Sequence, residues 1–270
     1  MRRLSRLIPL AVVAAAATVS AQTAAPGITE PFLDVTVSAT VPGTIAKIHA
    51  KEGDFVKEKD VVIQLEQKPE ELEVGRRRLI WESKVELNAA AEQMKRLKID
   101  SEATRKLYET TKSVSREEME KKELEYKVAV AEHERLLIAE QREKIEYDLA
   151  LEQLERRKIP SPLTGYVAQL FFDAGEDCKA QEPLARIVDT RRCYFTANID
   201  ARLSERLKPG QTVKLEIDAG ATPTVVQAQI TFISPVVDPA SGLLRVRALF
   251  DNPDGKVRPG VAGRMFIAEK

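Results

Sequence analysis

The stretch Val41-Pro42-Gly43-Thr44-Ile45-Ala46-Lys47-Ile48, followed by Glu52-Gly53-Asp54-Phe55-Val56-Lys57 and Val61-Val62-Ile63-Gln64-Leu65, decides the fold because the chain states it twice. The second statement reads Leu163-Thr164-Gly165-Tyr166-Val167-Ala168-Gln169-Leu170, Ala174-Gly175-Glu176-Asp177-Cys178-Lys179 and Pro183-Leu184-Ala185-Arg186-Ile187. Gly43 aligns with Gly165, Gly53 with Gly175, Lys57 with Lys179 and Leu65 with Ile187, at one offset and without a gap, which is an internal repeat. Each copy predicts short alternating strands, with turns at Gly43, Gly53, Gly165 and Gly175 and a small core faced by Ile45, Val167, Ile48 and Leu170. Neither copy can bury its apolar face alone, so the halves are expected to pack on each other across a pseudo-two-fold axis.

Between the copies the chain changes character. After Pro69 there is no proline until Pro160, the one glycine is Gly75, and Glu, Lys, Arg, Leu and Ala dominate, a helical composition. In the first arm Ile80, Ser83, Leu87, Ala90, Met94, Leu97, Ser101, Thr104 and Tyr108 recur at steps of three and four, a heptad seam. In the second arm Leu124, Val128, Ala131, Arg135, Ile138, Arg142, Ile145 and Leu149 repeat that spacing, with two arginines that either pair across to Glu or point outward. The run Thr110-Thr111-Lys112-Ser113-Val114-Ser115 breaks the helix, and Ser115 with Glu118 forms a capping box that starts the next one. The arms, 69–111 and 115–157, are near-equal, so a rise of about 60 Å each way returns the chain to its starting point.

From Arg192 onward the pattern is β: strands at 194–199, 213–217, 225–233, 243–250 and 263–268, a helical turn at 201–207, and turn signals between them, as in a small barrel. At the other end, Arg2, Arg3 and Arg6 precede an apolar run at 7–19 and the small residues Val19-Ser20-Ala21, an export signal. That run is about 13 residues, short of the roughly 20 that span a bilayer, so a cleaved signal is expected, with a retained anchor as the other reading.

Charge and composition exclude several classes. Lys plus Arg and Asp plus Glu each number 42, so no net basic field draws nucleic acid. Charged residues make up 31% and aromatic residues 5%, more consistent with long helix than with a thick core. Cys178 and Cys193 are too few for a disulfide scaffold or a four-ligand zinc site; they are either one pair or two half-buried thiols. His49 and His133 stand in no nucleophile setting, and no HxxH, CxxC or phosphate loop occurs, so neither catalysis nor a metal or cofactor site is expected. The four methionines lie apart, against a metal-carrying cluster.

Together these residues resemble the HlyD-type membrane fusion proteins, the periplasmic adaptors of efflux pumps and secretion systems. The segments 42–65 and 162–187 resemble that family's split biotinyl-lipoyl domain, and the insert resembles its coiled-coil arm. The run Ile230-Thr231-Phe232-Ile233-Ser234-Pro235-Val236-Val237-Asp238, with Asn252-Pro253 and Arg258-Pro259-Gly260, resembles its barrel signature. The resemblance implies an elongated α+β chain: signal 1–21, linker 22–32, lipoyl-like halves 33–68 and 158–190, α-helical hairpin 69–157 and β-barrel 191–270. It further implies a non-enzymatic homo-oligomer, a hexamer, in the periplasm at the inner membrane. That oligomer would join an inner-membrane pump or ATP-binding cassette permease to a TolC-type outer-membrane channel. In the family an Arg-Leu-Ser pattern at the hairpin tip meets the channel. Here Ser115 aligns with it, while Thr104 and Tyr108 stand where the Arg and Leu would be, so the implied contact set is Thr104, Tyr108, Ser113, Val114, Ser115 and Glu118. The chain stops soon after the barrel signature, the pattern of a short adaptor whose barrel meets the transporter. The competing readings are a lipoyl or biotinyl carrier subunit, with Lys57 or Lys179 modified, and a stand-alone coiled-coil scaffold of the cell envelope.

Overall fold

The computed structural model describes residues 23–220 and 222–267, and the signal segment falls outside them. The chain forms two compact units, one from 35–188 and one from the segments up to 34 and from 189 onward.

In the first unit the repeat is expressed as paired strands. β2 (Gly43–Ile48), β3 (Phe55–Val56) and β4 (Val61–Leu65) come from the first copy. β5 (Lys158–Pro160), β6 (Gly165–Leu170), β7 (Asp177–Cys178) and the start of β8 (Pro183–Asp200) come from the second. Each copy completes the other: Gly43 pairs with Cys178 and Thr44 with Asp177, while Gly165 pairs with Val56 and Tyr166 with Phe55. Within the copies Ile45 opposes Leu65 as Val167 opposes Ile187, and each ladder is interrupted at the matching place. The positive φ values also match, at Gly53 and Gly175 (90° and 95°) and at Lys59 and Gln181 (72° and 66°). Alternation then sends Ile45, Ile63, Leu65, Val167, Leu184 and Ile187 into one shared core, so neither half folds without its twin.

Two of the four expected turn glycines serve a different purpose. Gly53 and Gly175 sit in turns at positive φ, whereas Gly43 and Gly165 open strands β2 and β6 without one. A Cβ on Gly165 would lie 2.2 Å from the Val188 carbonyl oxygen, and one on Gly43 would lie 2.7 Å from the Arg157 guanidinium. Close approach to backbone, not turn geometry, requires glycine at Gly165, whereas at Gly43 the neighbour is the end of a flexible side chain.

The helical insert comprises α1 (Lys68–Glu82), α2 (Val85–Thr110) and α3 (Arg116–Glu155). The pairs Arg77–Glu146, Lys84–Glu140 and Asp100–Lys122 run in opposite sequence directions, so the first arm and α3 are antiparallel. Two details depart from expectation. The first arm is broken at Ser83-Lys84, where Trp81 stacks on Tyr147 at 5.3 Å and donates its indole N–H to Glu140. In α3 the expected seam faces outward: Leu124, Val128, Ile138, Ile145 and Leu149 are all exposed, whereas Ala129 and Ala150 are buried. Tyr126, His133, Leu136, Glu140, Glu143 and Tyr147 are half-buried at the spacing of those alanines. The side facing the first arm is thus the more polar one, and that is why apolar periodicity selected the wrong face. Arg135 and Arg142 point outward and pair on their own helix, with Glu132 and Glu143.

The second unit is a six-stranded antiparallel barrel, ordered β1, β12, β9, β10, β11, β8, with β1 pairing again to β8. The strands are β1 (Thr23–Ser38), the later part of β8, β9 (Thr212–Ile217), β10 (Thr224–Ile233), β11 (Leu243–Asp251) and β12 (Ala262–Ile267), with the short helix α4 (Ala201–Ser204) after β8. The segment expected to be a linker, 22–32, is therefore strand from Thr23, with Ala25 opposite Met265 and Ile28 opposite Ala262. Its signal is weak in sequence because Pro26 and Gly27 interrupt it; Gly27 is needed where a Cβ would lie 2.4 Å from the Thr196 carbonyl oxygen. Phe195, Leu215, Ile217, Ile230, Val246, Met265 and Ile267 fill the barrel at strand periodicity.

Candidate partner-binding surfaces

The loop between α2 and α3 is built by local hydroxyl bonding. Thr110 and Thr111 hydroxyls donate back to the Lys106 and Leu107 carbonyls, stopping α2, and the Thr111 and Ser113 hydroxyls lie 2.8 Å apart. Lys112 takes φ 55° to turn the chain. Ser115 is the N-cap of α3, its hydroxyl accepting from the Glu118 N–H at 3.1 Å, with Glu117 and Glu118 in the positive first turn. Ser113, Ser115 and Glu118 are exposed, as are Leu107 and Arg105; Thr104, Tyr108 and Val114 are half-buried. Thr104 and Tyr108 follow the spacing of buried Ser101, and the Thr104 hydroxyl donates to the Asp100 carbonyl. The surface of this loop is thus presented by Leu107, Ser113, Ser115 and Glu118, with Leu107 exposed where its neighbour Tyr108 is half-buried.

At the opposite end of the insert, Arg157 donates to the Glu70 carboxylate and to the Pro42 carbonyl, tying the end of α3 to the start of α1 and to the approach to β2. Sequence reading passed over both charges, since each is one of many.

The barrel-signature residues lie within the barrel unit's own hydrogen-bond network. Asn252 is buried; its amide donates to the Thr190 and Val257 carbonyls and its carbonyl accepts from the Val257 N–H. The turn Arg258-Pro259-Gly260, with Gly260 at φ 90°, receives β1: the Thr29 hydroxyl lies 2.9 Å from the Arg258 carbonyl and accepts from the Val261 N–H. Asp238 caps the β10–β11 turn by accepting from Ala240 and Ser241 N–H groups, and Gly242 closes that turn at φ 71°. Pro235 enters the same turn, beside Val236 and Val237, and Pro253 leads out of β11. Thr29, absent from the sequence expectations, is 1% exposed. Three large apolar side chains are exposed here: Phe232, Val236 and Val237 line a shallow groove with Asn198, Asp238 and Arg245.

Chemistry-bearing residues do not converge. Among the described residues no group of three or more His, Cys, Asp or Glu could hold a metal. His49 contacts Gln64, and both cysteines are free and buried. Burial pushes the Cys193 thiol up to about 11, partly offset by the Asn252 amide, so it is protonated and unreactive at neutral pH. No described helix is long and apolar enough to cross a membrane.

Two family models match this chain. "RND MFP, barrel-sandwich hybrid domain" covers 34–190 and "CusB-like, beta-barrel domain" covers 195–270. An uncharacterized protein of Haemophilus influenzae is 26% identical over 90% of this chain and 56% of its own length. The multidrug resistance protein MdtA of Xenorhabdus bovienii is 25% identical over 83% of this chain and 53% of its own length. The chain thus spans little more than half of either relative. The crystal structure of MacA from Actinobacillus actinomycetemcomitans superposes with a TM-score of 0.79 at 21% identity, over 93% of this chain and 79% of that one, a likeness of fold. With matched half-motifs completing one sandwich, a helical insert between them and a signature-bearing barrel, the chain belongs to the RND membrane fusion proteins.

Proposed function

We propose that the protein is a non-enzymatic periplasmic adaptor that links an inner-membrane transporter to an outer-membrane channel. The observation that carries this reading is the sandwich itself. The insert leaves from one half and returns to the other, and Arg157, Glu70 and Pro42 fasten its two ends together, so a long helical hairpin extends without separating the halves. The tip set Ser113, Ser115 and Glu118, with Leu107 beside it, is the channel contact, and the apolar β10–β11 turn of the barrel meets the transporter. The working form is a homo-oligomer, a hexamer with a TolC-type channel as its outer partner, held at the inner membrane.

Deleting 87–149 with the ends rejoined tests this reading. Export should be abolished while the β-domains remain folded by circular dichroism, and persistence of export would refute the bridging role. A lipoyl or biotinyl carrier is the competing class; its mark would be added mass on Lys57 or Lys179 in intact mass spectrometry.

A further inference from the structure

The two ends of the barrel differ in what they expose. At one end β1 leaves the barrel unit after Asp34 and β8 enters it at Asp189. Strand direction places the start of β1, the close of β12, the segment 200–211 and the β10–β11 turn, 234–242, at the other. Thr23 pairs with Ile267, Asp200 pairs with Leu243, and the Gly210 N–H donates to the Ile230 carbonyl, so these segments share one rim. Residues 1–22, with their apolar run at 7–19, join the barrel at this rim.

The turn is the apolar point of that rim. Val236 is 70% exposed and Val237 39%, between the exposed prolines Pro235 and Pro239. Its backbone is bonded internally. The N–H groups of Ser234, Val236, Asp238, Ala240, Ser241 and Gly242 all donate within the turn or to β11, and the two prolines have none. The Val236 carbonyl accepts from the Ser234 hydroxyl. A protruding turn built this way gives up little hydrogen bonding to water on entering an apolar phase, and unpaired backbone is the main cost of such a transfer. Exposed cations, Arg202, Arg206 and Lys208, stand on the same rim, where the Asp200 and Asp238 carboxylates are engaged by backbone N–H groups.

We infer that the tip of this turn dips into the lipid surface of the membrane. Val236 and Val237 enter the upper acyl chains, to a depth of about 5–10 Å, while Arg202, Arg206 and Lys208 meet the lipid phosphates. Two valines and two prolines on a convex tip fall short of the about 800 Å² a side of a stable protein contact, whereas shallow insertion into lipid needs no such area. On the export-signal reading, 7–19 lies in the bilayer as the chain emerges, which brings this rim to lipid first. The inference rests on the adaptor reading for the choice of membrane, and it divides the turn between two partners. The groove flank, Phe232, Asn198 and Arg245, is left to the transporter, and the tip takes lipid.

Lipid quenching tests it in the full chain, reconstituted in vesicles of phosphatidylethanolamine and phosphatidylglycerol. Cys178 and Cys193 are buried, so a thiol-reactive, polarity-sensitive fluorophore selects an introduced cysteine. On Val236→Cys the label should emit to the blue and be quenched by lipids brominated high on the acyl chain. On Val225→Cys, exposed at the start of β10 toward the opposite end, it should do neither. Adding Val237→Asp to Val236→Cys should remove most of the quenching. Equal quenching at both positions, or none on Val236→Cys, would overturn the inference. Quenching that disappears when the transporter is reconstituted beside the chain would overturn it in favour of a protein cover for the tip. Co-purification of the transporter with the wild-type chain scores the adaptor reading apart: its loss sinks the adaptor and leaves the vesicle result standing.

Discussion

Arg157 donates to the Glu70 carboxylate at 2.5 Å, joining the last residues of the helical insert to its first turn. Both side chains are mostly buried, and the other guanidinium nitrogen is taken by the Pro42 carbonyl. Arg157→Met should leave Glu70 without its partner and cost about 2 kcal/mol, a typical charge-assisted bond. Urea unfolding would register the loss; an unchanged midpoint would mean that the two arms need no fastening.

The two kinds of glycine in the repeat should respond differently to alanine. Gly165→Ala drives a methyl into the Val188 carbonyl and should cost about 3 kcal/mol or more, as severe overpacking does. Gly53→Ala meets no neighbour and bears only the positive-φ penalty, about 1 kcal/mol. Equal thermal shifts for the two variants would contradict the assignment of Gly165 to close approach.

Asn252 concentrates three hydrogen bonds from one buried amide. Asn252→Ala strands the Val257 N–H and carbonyl and leaves the Thr190 carbonyl only the weak Cys193 thiol, so a loss of about 3 kcal/mol is expected from buried groups left unpaired. Hydrogen exchange should localise that loss to the barrel; protection falling first in the sandwich would be the wrong result.

Glu140 gives the insert an acid limit. Its carboxyl is held below the ordinary value of 4.5, chiefly by the Lys84 ammonium, against desolvation and with help from the Trp81 indole. A carboxyl lowered on folding lends stability that is complete above 4.5 and disappears as pH falls through the lowered value. Trp81, the one tryptophan, should therefore change its emission as pH drops below about 4.5, and Glu140→Gln should flatten that response. Identical titrations in wild type and variant would exclude Glu140 as the source.

Ser115 separates capping from contact. Ser115→Ala removes the N-cap acceptor and should cost about 1 kcal/mol. Ser115→Asn keeps a capping oxygen but enlarges the tip. Export lost in the asparagine variant, with melting unchanged, is the expected sign of a contact surface; export lost only in the alanine variant would make Ser115 a cap alone.

The repeat was legible because strand pairing is encoded twice at one offset, and the barrel strands because they alternate between turn signals. The linker reading failed at Thr23 because β1 finds its partner at Ile267, across nearly the whole sequence. The α3 seam was misread because His133, Glu140 and Glu143 occupy the inner side while Ile138 and Ile145 occupy the outer one. Hydrophobic period locates a stripe but not what covers it. The break at Ser83-Lys84 carries no proline or glycine, and the tip exposes Leu107 through a phase of α2 that spacing alone did not fix.

The chain is nested like a set of parentheses: barrel strand, half-sandwich, helical arm, helical arm, half-sandwich, remaining barrel. Delivered from its N-terminus, it can only be completed from the inside outward. Both helical arms are made before the second copy of the motif, and that copy supplies the strand partners the first lacks. β1, the first strand of the barrel in the chain, gains its β12 partner only when the last strand is made. A truncation near the C-terminus should therefore spare the arm and the sandwich and leave the barrel as an open sheet, with an unpaired edge available to another chain.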